Sequence, residues 1–168
     1  GKNDLPYSAF YFDGTNQYID CTDDGRSITD KVSVSAWINK STDLDCHIVN
    51  KYRGSNGTIQ QGFHLATKDG FPYFGGRLGQ TGTEGYYYIL ADESRIMDGN
   101  WHHLLGTVDG NEWNFWVDGY HVGTLIGNSS NPLLICPEIL AIGYYPEMNH
   151  GFFDGKICLL YTSDAADD

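Results

Sequence analysis

Retaining hydrolysis of a glycosidic bond needs two carboxyl groups about 5–5.5 Å apart. A β-strand can present them from alternate positions, because residues i and i+2 leave the same face. The chain has 168 residues and 22 Asp plus Glu, yet no Glu-x-Asp-x-(x)-Glu run. Asp43 and Asp45 have the spacing but not the partner, and Glu112 is followed at the alternate positions by Asn114 and Trp116. Asp92 and Glu93 are adjacent, so in a strand they face opposite ways. A lyase would instead use His and Tyr as base and acid, and His64, His102 and His103 accompany 12 tyrosines. Histidines on strands are more often hydrogen-bonded structure than catalysts, so the balance leans away from an enzyme.

The chemistry left is recognition of an uncharged, hydroxyl-rich ligand. Trp37, Trp116, Tyr86 and Tyr88 fall in the outward phase of their strands, where aromatic rings stack on the apolar faces of sugars. Asn39, Arg77, His103 and Asn114 can bond hydroxyl groups between them. The expectation is a non-catalytic glycan-binding surface on the polar-phase face of one sheet carrying Trp37, Trp116, Tyr86 and Tyr88.

The elements that hold these side chains are strands. From Asp98 to Gly119, three Asp-Gly pairs bracket two runs rich in aromatic and β-branched residues, Trp101 to Val108 and Glu112 to Val117. Such runs, separated by residues that tolerate positive φ, predict two antiparallel strands joined near Asp109-Gly110. Alternation puts Trp113, Phe115 and Val117 in the core and Glu112, Asn114 and Trp116 outside. In Val32 to Asn39 the even positions are apolar and the odd ones polar except Trp37, so Val34, Ala36 and Ile38 join the core. About a dozen such strands, with turn residues between them and no sustained helical period, predict an all-β fold: a two-sheet antiparallel sandwich or jelly roll. One domain spans 1–168, structured over about 8–161 with a tail at 162–168.

The formal net charge of −12 excludes nucleic acid as a partner, since binding a polyanion needs Lys and Arg to displace its counterions. No apolar run approaches the roughly 20 residues of a spanning helix, so no membrane insertion is expected, and the first residues lack a signal-peptide core. Cys21, Cys46, Cys136 and Cys158 show no Cys-x-x-Cys spacing, which removes zinc and thioredoxin-type readings. Three disulfide pairings and four buried thiols all stay open.

Several motifs appear in an order that is specific for a fold. They are Phe12-Asp13-Gly14 with Tyr18-Ile19, Val34-Ser35-Ala36-Trp37-Ile38, Ile48-Val49-Asn50-Lys51, Asp98-Gly99-Asn100-Trp101-His102-His103, Val108-Asp109-Gly110, Phe115-Trp116-Val117-Asp118-Gly119, Ile142-Gly143 and Phe153-Asp154-Gly155-Lys156-Ile157. From about residue 8 to 161 the chain resembles a laminin-G-like domain of the concanavalin-A-like lectin/glucanase superfamily. The resemblance implies a secreted or cell-surface module that binds a polysaccharide, another glycan or a protein, with other domains of a larger parent protein beside it. It also implies a structural Ca²⁺ where the start of the chain meets the final strand, with Asp13 and Asp154 as oxygen ligands. The alternatives are a polysaccharide lyase or glycoside hydrolase on the same jelly roll, and a protein-adhesion module. Relatives continue the last strand with acidic residues where this chain has Cys158-Leu159-Leu160. The end, from Tyr161 to Asp168, is similar to the translated adapter tails of metagenomic reading frames.

Overall fold

The computed structural model describes residues 9–21, 31–54, 61–77, 86–92, 95–127, 136 and 138–163. Glu93 and residues 164–168 lie outside them, and residues 162 and 163, expected in the tail, belong instead to the last strand, paired with Val34 and Ser33. The described residues form twelve strands: β1 (Phe10–Asp13), β2 (Ile19–Asp20), β3 (Lys31–Asn39), β4 (Cys46–Arg53), β5 (Gln61–Lys68), β6 (Phe71–Arg77), β7 (Tyr86–Leu90), β8 (Trp101–Asp109), β9 (Glu112–Val117), β10 (Tyr120–Ile126), β11 (Ala141–Ile142) and β12 (Asp154–Ser163). Sheet I has the order β1-β12-β3-β8-β9-β10 and sheet II the order β2-β11-β4-β5-β6-β7. Every named pair is antiparallel. This is the jelly-roll sandwich the alternation predicts.

Turn chemistry sets two of the hairpins. Asp69-Gly70 joins β5 to β6 and Asp118-Gly119 joins β9 to β10, and all four residues have positive φ: 52°, 85°, 51° and 82°. Two consecutive left-handed residues make the primed turn whose twist matches that of the strands, and Asp-Gly adopts it readily.

Core phase follows the sequence. Val34, Ala36, Ile38 and Phe115 have no exposed surface and Val117 is buried, while Trp116 is only half-buried. From sheet II they meet Val49, Phe63, Leu65 and Phe74 in one cluster. Burying each such side chain contributes about 1.5–3 kcal/mol. The sheets approach closely where Gly106, paired with Val34 and Phe115, leaves room for the Phe74 ring. A Cβ at Gly106 would stand 2.5 Å from that ring. Phe74 also packs 5.2 Å from Trp113, centroid to centroid. The four cysteines are free thiols, three of them buried.

One irregularity bears on function. Between His47 and Val49 the β4–β5 register shifts by a residue, with His47 opposite Ala66 and Val49 opposite Leu65. Ile48 is the extra residue of a bulge, so Ile48 and Val49 are both fully buried and the alternation restarts.

Candidate functional site

The bulge turns His47 onto the same face as Asn50 and Tyr52, the outer face of sheet II. Three rows of directly opposed residues cross that face. They are Tyr52–Gly62–Arg77–Tyr86, Asn50–His64–Gly75–Tyr88 and His47–Ala66–Tyr73–Leu90. Their intervening neighbours Leu65 and Phe74 point into the core, so the rows must point away from it. Gly62, Ala66 and Gly75 leave the middle of the face low, and large rings stand on either side.

The rings are in contact. His47 and His64 lie 5.1 Å apart by centroid, and Tyr52 and Tyr86 stand 4.8 and 5.6 Å from His64. Tyr73 meets the His64 ring edge-on at 5.2 Å. On the edge strand β7, Tyr86 and Tyr88 lie 5.6 Å apart with their planes inclined by 33°. These two phenols are 37% and 42% exposed, whereas His64 is 4% exposed and Asn50 fully buried. Asn50 Nδ2 and His47 Nδ1 are 3.0 Å apart, and His64 Nε2 lies 2.5 Å from the Tyr86 hydroxyl. The other ring nitrogen of His64, Nδ1, is buried and has no hydrogen-bond partner among the described residues.

The segment from Tyr144 to Gly151 closes the β4 side. Tyr145 packs 4.8 Å from His47, and its hydroxyl donates to Glu147 Oε2 at 3.0 Å. The same oxygen accepts from the Gly54 N–H at 2.5 Å, which ties this segment to the end of β4. Arg53 Nε sits 3.6 Å from Glu138 and 3.8 Å from Glu147.

Burial keeps nearly every group on this face neutral. Desolvation, reinforced by His150, pushes His47 down to about 3. Desolvation and then His47 put His64 well below the usual imidazole value. Burial raises Tyr52 to about 12 although the nearby Arg77 charge opposes it, and raises Tyr73 to about 12. Tyr86 and Tyr145 are also shifted upward, first by burial. A general base works best with a pKa near the operating pH. Here the imidazoles are held neutral and the phenols protonated, so each is a neutral hydrogen-bonding group at pH 7.

The outer face of sheet I is a separate surface. Trp37 stands opposite His103 with ring centroids 5.1 Å apart, and Trp116 opposite His121 at the same distance. His103 Nε2 lies 2.8 Å from Ser35 Oγ. Asn114 Oδ1 accepts from Thr124 Oγ1 at 2.5 Å, and Asn114 Nδ2 donates to Glu112 Oε1 at 2.9 Å. Asn39 Nδ2 donates to the Gly99 carbonyl and so fastens a turn. His102, the other histidine of that pair, is clamped between Asp118 at 2.7 Å and Asp98 at 3.0 Å. Burial alone would lower its pKa, but the two carboxylates outweigh burial and the net shift is upward.

The expectation of one shared face is therefore corrected. Trp37, Asn39, His103, Asn114 and Trp116 lie on sheet I, while Arg77, Tyr86 and Tyr88 lie on sheet II, with the core between them. Local alternation gives each residue its phase, but it cannot say which sheet a strand joins. Sequence reasoning passed over His47, Asn50, Tyr52, Tyr73 and Tyr145. One signal was present: two consecutive apolar residues, Ile48-Val49, interrupt the alternation of β4 and mark the bulge.

Asp13 and Asp154 stand directly opposite each other in the β1–β12 pair. Asp13 Oδ1 accepts from the N–H groups of Thr15 at 2.9 Å and Asn16 at 3.3 Å. The Thr15 bond is the main reason its pKa is lowered. Ca²⁺ takes about six to eight oxygens, so the two carboxylates would supply part of such a shell and backbone carbonyls or water the rest. Among the described residues, no group of three or more His, Cys, Asp or Glu side chains is arranged to hold a metal ion.

Two antiparallel six-stranded sheets with the first and last strands paired define a laminin-G-like jelly roll. The chain belongs to the concanavalin A-like lectin/glucanases superfamily, whose laminin-G family matches residues 13–166. No curated protein matches it in sequence. Among solved structures it is similar to domains LG4-5 of the mouse laminin alpha1 chain, with TM-score 0.73 and 14% identity over 95% of this chain and 42% of that one. It is also similar to the CBM40 of Ruminococcus gnavus IT-sialidase bound to alpha2,3 sialyllactose, with TM-score 0.72 and 12% identity over 92% and 89% of the two chains. A third is the native heptameric SAP-like pentraxin from Limulus polyphemus, with TM-score 0.60 and 18% identity over 92% and 74%. Likenesses at these identities show the fold alone. The chain spans less than half the length of the laminin structure.

Proposed function

We propose that this domain is a non-catalytic carbohydrate-binding module of a secreted or cell-surface protein, which seats its glycan on the outer face of sheet II. The observation that carries the proposal is the pair Tyr86–Tyr88, exposed and inclined to each other, beside the buried polar groups of His64 and Asn50. A glycan site combines an aromatic platform with a few placed hydrogen bonds. The two exposed phenols supply both, their rings as the platform and their hydroxyls as hydrogen-bonding groups. The likeness to a CBM40 with a bound sialyllactose is consistent with such a use of the fold. No helix among the described residues is long and apolar enough to cross a membrane. A parent protein with further domains fits a module of this size.

A glycan array run with and without chelator identifies the ligand class. Isothermal titration with the best array ligand then compares the wild type with Tyr88→Ala, whose ring is exposed and dispensable to the core. The expected loss is about 1–3 kcal/mol, roughly fivefold to 150-fold in Kd. Undiminished affinity in Tyr88→Ala would remove sheet II as the site. Reducing-end and unsaturated-uronate assays on the same ligands are expected to stay blank, and new chain ends would show an enzyme instead.

Calcium belongs to this proposal as a structural ion between Asp13 and Asp154. An ion that binds only the folded state raises the melting temperature by mass action. The expected result is a higher Tm in saturating Ca²⁺ than in EDTA, and identical melting curves would exclude the ion.

A further inference from the structure

The outer face of sheet I is solvated, and an antiparallel sheet normally turns polar side chains to such a face. Ser33, Ser35, Thr107, Asn114 and Thr124 obey that rule, and Trp37, Trp101, Leu105 and Trp116 break it, as do Tyr11 and Ile126 on the edge strands. Two of the exceptions, Trp37 and Trp116, repeat one unit. Trp37 on β3 is coupled to His103 on β8, and Trp116 on β9 to His121 on β10, each across one strand pair. Both couples have ring centroids 5.1 Å apart, and their planes are inclined by 39° and 49°. Leu105 lies between them, opposite both Ser35 and Trp116. The second couple is thus the first one displaced by two strands and one two-residue step. That is about 10 Å across the sheet and 7 Å along it, given strand spacings near 4.8 Å and a rise near 3.4 Å per residue.

Each ring couple has a hydrogen-bonding neighbour: Ser35 beside His103, and Asn114 with Thr124 beside His121, 3.2 Å from its Nε2. Among the described side chains, charge is confined to the margins. Lys31 pairs with Asp109 at 3.2 Å in the row that also holds Glu112, and Lys156 stands beside Asn39 at the other end. A neutral centre offers a charged partner no fixed charge to pair with. Two repeats of one stacking unit match a ligand that itself repeats.

We infer that this face is a second ligand site, for an uncharged polysaccharide chain, and that one copy of the domain therefore holds two chains and cross-links them. The inference rests on the glycan-binding proposal made for sheet II. The two faces look outward from opposite sides of the core, so one short oligosaccharide cannot occupy both.

The test uses the whole chain, with β-glucan and xylan oligosaccharides as probes. Titration gives the stoichiometry, light scattering the oligomeric state, and agglutination of polysaccharide-coated beads the cross-linking. Monomeric wild type is expected to bind two chains per molecule and to agglutinate the beads. Trp116→Ala and Tyr88→Ala should each bind one chain and fail to agglutinate, and the double variant should bind none, with Kd at the altered face raised about tenfold or more. Trp116→Tyr, which keeps an aromatic platform, should restore both properties and separates loss of stacking from loss of fold. Binding of one chain that depends on Tyr88 alone overturns the inference and spares the sheet II proposal. Absence of any glycan binding overturns both. A wild-type dimer that Trp116→Ala converts to a monomer would show the face to be occupied by a second copy of this chain, and overturns the inference too.

Discussion

Acidification from pH 7 to pH 5 destabilises the domain steeply, by up to about 3 kcal/mol per pH unit once the pH is below 6.5. His47 and His64 are neutral in the fold, His47 with its pKa pushed down to about 3 and His64 well below its usual value, in both cases first by desolvation. In the unfolded chain both titrate near 6.5. Above that pH neither state carries the protons and the full stability is present. Below it the unfolded state binds two protons that the folded state refuses, at about 1.4 kcal/mol per unit for each group. The loss from His47 continues until the pH approaches its folded value. His102 acts in the opposite sense. Its raised pKa keeps its clamp between Asp98 and Asp118 in full below pH 6.5, and that contribution fades as the pH rises through the raised value. Against a domain stability of about 5–15 kcal/mol, the two buried imidazoles remove about 4 kcal/mol by pH 5, a large share of the reserve. Urea titrations at half-unit intervals measure the slope, and His64→Gln should halve it. A stability that does not change between pH 7 and pH 5 would show that the two rings reach solvent and that the closed Tyr/His layer is wrong.

The same residues show what the sequence discloses and where it falls silent. In β3 and β9 strict alternation fixes which side chains are core, because one face of each strand is buried, and a slip of one residue would exchange every side chain. Val34, Ala36, Ile38, Phe115 and Val117 are buried accordingly. Alternation likewise places Trp37, Trp116, Tyr86 and Tyr88 outside, and the structure agrees. Their division between two sheets depends on β7 pairing with β6 and β9 with β8. That connectivity is long-range, and no period in the chain records it. His47 is harder still. Counted from Asn50 by strict alternation it belongs on the inner face, and only the Ile48 bulge brings it beside His64. The calcium expectation came from the family resemblance, since the local sequence shows only a carboxylate whose Oδ1 holds its own turn.

Gly76→Ala destabilises the domain by about 3 kcal/mol or more and abolishes glycan binding on sheet II. A glycine inside a strand often marks the close approach of another backbone or a ligand, and two neighbouring glycines of β6 show why each must be considered separately. Gly75 belongs to the outer face between His64 and Tyr88, whereas Gly76 belongs to the inner one. A Cβ on Gly76 would stand 2.1 Å from the Gly62 carbonyl oxygen, 2.7 Å from the Trp113 ring and 2.9 Å from the Phe63 Cα. Two of the three obstacles are backbone, which no rotamer change can move, and Trp113 is itself held in the core against Phe74. β6 would have to leave β5 or the core would have to open, and overpacking of this kind reaches the upper end of the usual 1–3 kcal/mol range or exceeds it. Either movement separates Tyr86, which β6 carries through its pairing with β7, from His64 on β5, so binding fails with packing. Gly110→Ala is the comparison: nothing lies within 4 Å of the added carbon, and only its φ of 60° opposes the change. That strain is about 1 kcal/mol, and the Tyr86–Tyr88 face lies on the other sheet. Thermal melts and titration of the two variants side by side decide the matter. Equal melting temperatures would mean that β6 does not pack against Gly62 and Trp113 as described.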